Sequence, residues 1–348
     1  MPHATLTLER LEARRLFAYD LQFGEAVVGA LPRKAGDSVT ITLPVRNFGD
    51  RTLTQPFDVE YKLVRNPYLA AGQLPDFFSA GAVPLRTVTV NDDIFAGSSG
   101  QDVTTTLTLP AGVAPGRYSI MARVDGAGAI AETNESNNYF ASAGLNVLSA
   151  GGRLLVETGG GNDFVQLQQF ATTGTGQPFY RVIVNGQQQD TFGAGEFTGA
   201  DVRTGGGNDV ITFFGVVPGA AADAGDGNDK IVGGSAPETL TGGAGKDTLF
   251  GGLGNDRLNG NGGNDRLYGE LGADRLYGYA GNDIVDGGAS ADRLDGGLGA
   301  DALLGQSGND KFFARDGALD TLYGASGTDR ADADEADTRL SIERSLDG

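Results

Sequence analysis

Gly242-Gly243-Ala244-Gly245-Lys246-Asp247-Thr248-Leu249-Phe250 is followed at once by Gly251-Gly252-Leu253-Gly254-Asn255-Asp256-Arg257-Leu258-Asn259. The two segments agree position for position, with a period of nine. The sixth position is a carboxylate throughout: Asp229, Glu238, Asp247, Asp256, Asp265, Asp274, Asp283, Asp292, Asp301 and Asp310. The eighth is apolar throughout: Ile231, Leu240, Leu249, Leu258, Leu267, Leu276, Val285, Leu294, Leu303 and Phe312. Such regularity signals stacked repeats, each too small to bury its own apolar face. The eighth residue reads as the inward member of a short strand. Two facing strands make one coil, so a coil takes 18 residues. Glycines at the second and fourth positions permit left-handed turn angles that a β-carbon opposes. They are Gly225, Gly227, Gly243, Gly245, Gly252, Gly254, Gly263, Gly272, Gly281, Gly297, Gly299 and Gly308.

The pattern G-G-x-G-x-D-x-U-x, with U apolar, resembles the RTX or haemolysin-type calcium-binding repeat. The resemblance implies a parallel β-roll, Ca²⁺ as its ligand and a secreted protein. Coordination chemistry agrees with it. Ca²⁺ takes six to eight hard oxygen ligands; a tight turn aims backbone carbonyls at one point, and the sixth residue adds a carboxylate. By parity the carboxylates form two rows. One stacks Asp229, Asp247, Asp265, Asp283 and Asp301; the other stacks Glu238, Asp256, Asp274, Asp292 and Asp310. An ion is expected between neighbours of a row. The Glu238 gap departs from the pattern, because Ser235-Ala236-Pro237 lacks the turn glycine and Glu is longer. Ser290 replaces the fourth-position glycine beside Asp292. The expectation is about seven Ca²⁺ ions, on coordination grounds. Residues 223–348 hold 24 Asp/Glu against 11 Lys/Arg, most of the chain's net charge of -19. Carboxylates stacked one strand spacing apart repel one another strongly unless cations separate them.

From residue 20 to 149 the period is two. Val39, Ile41, Leu43 and Val45 alternate with other residues, as do Phe57, Val59, Tyr61 and Leu63. Val103, Leu107 and Leu109 follow, then Tyr118, Ile120, Ala122 and Val124. Short alternating runs separated by turn residues signal an antiparallel sandwich. The expectation is one immunoglobulin-like domain with a long insertion near 66–100. Val45-Arg46-Asn47-Phe48-Gly49, Pro115-Gly116-Arg117-Tyr118, Val124-Asp125 and Glu132-Thr133-Asn134-Glu135-Ser136-Asn137-Asn138 together resemble the CARDB family, bacterial immunoglobulin-like domains related to cell adhesion. The last run resembles that family's hairpin before its final strand. Its oxygens read first as a turn held by Asx hydrogen bonds, with a Ca²⁺ site as the alternative.

Composition removes several functions. There is no Cys or Trp, and His3 is the only His. Thiol chemistry, disulfides, Cys-zinc sites and His-based triads are excluded. An acidic chain with pI near 4.3 repels nucleic acid and attracts divalent cations. No apolar run has the length of a membrane span. The N-terminus lacks the apolar core of a standard signal peptide.

The remaining segments frame these two domains. Residues 1–19 are a lead segment, whose Leu8–Leu16 stretch resembles the N-terminal segment of some exported surface proteins. Residues 150–222 are a β-rich transition with degenerate repeats, Gly159–Asp163 and Gly205–Asp209, and a hairpin turning at Asn185-Gly186. The β-roll spans 223–332. From 314 the nine-residue period breaks. Residues 333–348 resemble the terminal segment of many such repeat proteins, which implies a cap for the roll and an uncleaved type I export signal. Arg257, Arg275, Arg293 and Lys311 recur every 18 residues, so they are expected on one outer face, with Phe250 and Tyr268 on the other. Such a face is solvated or meets a glycan. The fold class expected is all-β, an immunoglobulin-like sandwich followed by a parallel β-roll. The functional expectation is a secreted, extracellular calcium-binding bacterial protein of cell-surface adhesion or matrix, with polysaccharide or protein as partner. The rival is an accessory or remnant of a polysaccharide-active lyase or epimerase, although no catalytic motif is visible.

Overall fold

The computed structural model describes residues 21–23, 27–28, 34–65, 79, 81–97, 100–125, 130, 139–141, 145–149, 151–171, 178–193 and 195–345. The lead segment 1–19 and the Glu132–Asn138 hairpin lie outside them. Among the described residues every regular element is a strand. The chain divides into two compact units, Met1–Val147 and Leu148–Gly348.

Among the described residues nine strands build the first unit: β1 (Leu21–Phe23), β2 (Val27–Val28), β3 (Ser38–Asn47), β4 (Phe57–Arg65), β5 (Val83–Val90), β6 (Gln101–Thr108), β7 (Gly116–Val124), β8 (Tyr139–Ala141) and β9 (Leu145–Val147). β1, β2, β3 and β6 form one antiparallel sheet, and β4, β5, β7, β8 and β9 the other. The alternation has a direct cause. On β3, Val39, Ile41, Leu43 and Val45 are buried, while Thr40 and Thr42 face outward and bond Thr106 and Thr104 across the pair. Phe57, Val59, Tyr61 and Leu63 of β4 share one core with them, as do Tyr118, Ile120, Ala122 and Val124 of β7. β5 falls inside the expected insertion yet pairs with β4 along its length. Turn chemistry fixes the corners. Asn47 is buried, accepts from the Gly49 amide through Oδ1, and donates to the Arg51 and Ile94 carbonyls. The Tyr118 hydroxyl donates to the Ala114 carbonyl, which pins the start of β7.

The second unit is a solenoid of two long sheets. The first has ten strands, from Arg153–Gly160 to Arg344–Ser345, all parallel. The second has eleven, ending at Thr338–Leu340. Its parallel stack begins at Phe164–Ala171, and the antiparallel hairpin Pro178–Val184/Gln187–Gly193 closes that end. Asn185 and Gly186 turn it with φ of 51° and 76°, the paired left-handed geometry a two-residue hairpin favours. Closing the first strand's edge removes an exposed row of backbone donors and acceptors. Register then repeats by coil: Thr239 pairs with Arg257, Arg257 with Arg275, and Arg275 with Arg293, 18 residues apart.

The eighth-position side chains stack into two facing columns. Ile231, Leu249, Leu267, Val285 and Leu303 stand on the second sheet, and Leu240, Leu258, Leu276, Leu294 and Phe312 on the first; all are 0% exposed. The columns continue past 314, through Leu322 and Ala331, where coils of 19 residues replace those of 18. This thin core carries the apolar stabilisation of the roll. Leu276→Ala should therefore cost about 2–5 kcal/mol of calcium-loaded stability. Leu298→Ala, at a residue 64% exposed, should stay within about 0.5 kcal/mol. Thermal unfolding in Ca²⁺ measures both; equal losses would contradict the assignment of the core.

Candidate metal centres

The turns between strands carry the repeated chemistry. All twelve turn glycines named from the sequence have φ between 95° and 150°. A β-carbon on Gly245 would lie 1.6 Å from the Gly227 carbonyl of the preceding coil. Close stacking of turn on turn thus excludes a side chain at Gly245, beyond any backbone preference. The second position is more permissive: Asn261, Glu270, Tyr279 and Gln306 occupy it at φ of 67–74°. Ser290, at the fourth position, adopts φ of 92° and still donates its amide to the Ser307 carbonyl.

The sixth-position carboxylates form two ladders. Oδ1 of each Asp accepts the backbone N–H of the matching residue one coil earlier. In the first row the Asp229 amide donates to Asp247, Asp247 to Asp265, Asp265 to Asp283, and Asp283 to Asp301, at 2.7–2.8 Å. In the second, Glu238 donates to Asp256, Asp256 to Asp274, Asp274 to Asp292, and Asp292 to Asp310, also at 2.7–2.8 Å. Both rows reach beyond the segment where the nine-residue count holds. Asp163 and Asp209 precede Asp229, while Asp320 and Asp337 follow Asp301. Asp329 follows Asp310.

The other oxygen is the informative one. Oδ2 of Asp209, Asp229, Asp247, Asp256, Asp265, Asp274, Asp283, Asp292, Asp301, Asp310, Asp320 and Asp329 is buried with no hydrogen-bond partner. A buried carboxylate oxygen without a partner is costly, and a dozen along two rows call for a common ligand. Glu238 differs: its carboxylate folds back to accept the Gly234 and Ala236 amides of its own turn. Burial pushes the row up from the usual carboxylate range, and neighbouring carboxylates add to it at several positions. Asp247, Asp274 and Asp283 are pushed up to about 7, and Asp292 and Glu238 to about 8. Asp256, Asp310 and Asp320 rise to about 6, and Asp229, Asp265 and Asp301 are also raised.

Two contributors were not assigned roles by sequence reasoning. The first-position glycine makes room for Oδ2: a β-carbon on Gly260 or Gly278 would lie 2.4 or 2.3 Å from Oδ2 of Asp265 or Asp283. The signal was present, since Gly fills that position eight times running from Gly242 to Gly305 while the second position varies. Fifth-position asparagines form a second ladder. Oδ1 of Asn228, Asn264 and Asn282 accepts the amide one coil later, in the direction opposite to the Asp bonds.

Among the described residues no three His, Cys, Asp or Glu side chains converge on one point. A bound cation would therefore draw one carboxylate oxygen from a turn and the rest of its shell from backbone carbonyls. That donor set, all oxygen and largely backbone, suits Ca²⁺ and disfavours transition metals. The residues that would hold it are the sixth-position Asp and the turn glycines beside them.

The fold and these turns define a calcium-binding solenoid preceded by a β-sandwich. The RTX calcium-binding nonapeptide repeat family, four copies, matches residues 223–258, 259–294, 286–318 and 295–331, and the CARDB family matches residues 20–142. The chain thus carries a CARDB domain followed by RTX calcium-binding repeats. A search of curated proteins finds no match. Among solved structures, the CARDB domain of a Pyrococcus furiosus protein in complex with di-metal ions is 17% identical, covers 38% of this chain and 90% of that chain, and has a TM-score of 0.26. A β-glucosidase from Erythrobacter marinus is 15% identical over 37% of this chain and 16% of its own, with a TM-score of 0.24.

The raised carboxylates set a sign for pH. Without ions the folded roll binds protons more tightly than the open chain, whose Asp titrate near pH 4. Ion-free stability is therefore fully present below about pH 4 and is lost as pH rises through about 6–8. With Ca²⁺ the sign reverses, because protons compete with the ion. In chelator, residues 148–348 should gain strand on acidification from pH 8 to 5, whereas in millimolar Ca²⁺ their denaturation midpoint should fall over the same range. Parallel pH dependences would contradict the assignment.

Proposed function

We propose that this chain is a non-enzymatic extracellular bacterial protein of cell-surface adhesion or matrix, whose repeats fold on Ca²⁺ after export. The observation that carries the reading is the two rows of buried carboxylate oxygens without partners. A glycine-rich chain loses much backbone entropy on ordering, and the roll buries one large apolar side chain per repeat. Cations that bind the folded turns and not the open chain convert binding energy into folding energy. Extracellular modules hold Ca²⁺ at about 10⁻⁴–10⁻³ M, far above cytosolic levels. The repeats thus stay open inside the cell and close outside it. The sandwich has its own apolar core and folds without the ion. The CARDB domain carries the adhesive contact in this reading, to a polysaccharide or protein. The C-terminal residues 333–348 serve as cap and export signal.

Circular dichroism of residues 148–348 should show coil in chelator at neutral pH and strand at millimolar Ca²⁺. Calorimetry on the same unit should count roughly seven ions or more, because Asp209, Asp320 and Asp329 extend the rows from which seven were expected. A strand spectrum that survives thorough chelation, or two ions or fewer, would contradict the switch. The full chain should turn over neither alginate-like polymers nor casein in Ca²⁺.

A further inference from the structure

The outer face of the first sheet carries a cavity that the calcium turns do not use. The seventh-position ladder Arg257, Arg275, Arg293, Lys311 and Arg330 runs in register along it. Beside it the ninth position reads Asn259, Tyr277, Asp295, Phe313 and Asp332. Strand Arg293–Leu298 lies between Arg275–Ala280 and Lys311–Ala314, and it carries short side chains at Asp295 and Gly297. Tyr277 and Tyr279 rise on one side of it and Phe313 on the other. The result is a cavity of about 500 Å³ walled by these aromatics, with Leu298, Arg315 and Asp332 at its border. That volume lies within the usual range for small-ligand sites.

The charged groups already have partners. Arg293 lies 3.5 Å over the Phe313 ring and donates to Asp295 at 3.2 Å. Arg315 pairs with Asp332. Both oxygens of Asp316 accept backbone amides, from Gly299 and Ala318. An anionic ligand would face three carboxylates, while the two cations at the site, Arg293 and Arg315, are already engaged. A wholly apolar ligand would strip water from those carboxylates and return nothing. A hydroxyl-rich ring suits both halves of the site, giving O–H donors to the carboxylates and an apolar C–H face to the aromatics. Tyr279 adds a second sign. It holds φ of 74° at a position where Gly, Asn, Glu, Gln or Ala stands in other coils. A bulky residue in left-handed geometry costs backbone energy and clusters at functional sites.

We propose that the cavity bounded by Tyr277, Tyr279, Asp295, Phe313 and Arg315 binds a neutral saccharide. The site needs the folded roll but not the adhesive role given to the sandwich. Its test uses the full chain in millimolar Ca²⁺, titrated with soluble neutral oligosaccharides of glucose, galactose, mannose or N-acetylglucosamine, and with oligouronates. With no Trp in the chain, tyrosine fluorescence reports occupancy beside calorimetry. The fold itself supplies the variant. Asn259 and Asn261 stand one coil before Tyr277 and Tyr279 in register, so Y277N/Y279N rebuilds a surface the roll already accepts. A neutral oligosaccharide should bind, and Y277N/Y279N should weaken it by about tenfold or more, the loss expected for anchoring aromatics. The calcium-induced dichroism of the variant should match the parent, which separates this site from the calcium switch. Binding of oligouronates alone, binding by no neutral sugar in the panel, or unchanged affinity in the variant would overturn the proposal.

Discussion

Everything in the second unit depends on how one aspartate is shared between two coils. Its Oδ1 takes the backbone N–H of the coil before, which fixes the register of the stack. Its Oδ2 is turned inward beside the first-position glycine and left without a protein partner. The same side chain therefore links neighbouring coils and exposes a charge that only a cation can satisfy. Removing that charge by protonation is the alternative route, and the upward push on the rows shows that burial already favours it.

The glycine pattern follows from this arrangement. A side chain at the first position would displace Oδ2, and a β-carbon on fourth-position glycines such as Gly245 or Gly263 would strike a carbonyl of the preceding turn. The second position faces the outer surface of the coil, so it accepts Asn261, Glu270 and Tyr279 at some backbone cost. Much of the roll's sequence variation falls at such outward positions. The seventh, ninth and second residues vary freely while the first, fourth, sixth and eighth are tied to the turn and core. A cavity can thus form on the outer face without disturbing the calcium turns.

Much of this was legible because strict periodicity leaves little freedom. The inward column from Ile231 to Phe312 and the two carboxylate rows follow from counting by nine and by 18. The Asn185-Gly186 hairpin was legible because few residues adopt paired left-handed angles. The continuation past 314 was hidden by one inserted and one deleted residue. Asp310 to Asp320 spans ten positions, Asp320 to Asp329 nine and Asp329 to Asp337 eight, yet the backbone ladder absorbs the change. Strand β5 was hidden inside an apparent insertion because its pairing partner, β4, is distant in sequence. The outer cavity was illegible because it joins residues from neighbouring coils, and its depth comes from what Asp295 and Gly297 lack.

The two units rely on different physics. The sandwich closes on a broad apolar core of residues such as Ile41, Leu63 and Ile120, while the roll has a narrow one and a surplus of buried carboxylates. The central claim is that cations occupy the inward oxygens of the rows. A crystal structure of residues 148–348 grown in Ca²⁺, with anomalous data, tests it most directly. Anomalous peaks at about 2.3–2.6 Å from Oδ2 of Asp256, Asp265, Asp274 and Asp283 are the result this account predicts. Well-ordered Oδ2 atoms that contact only water or protein in saturating Ca²⁺ would contradict it.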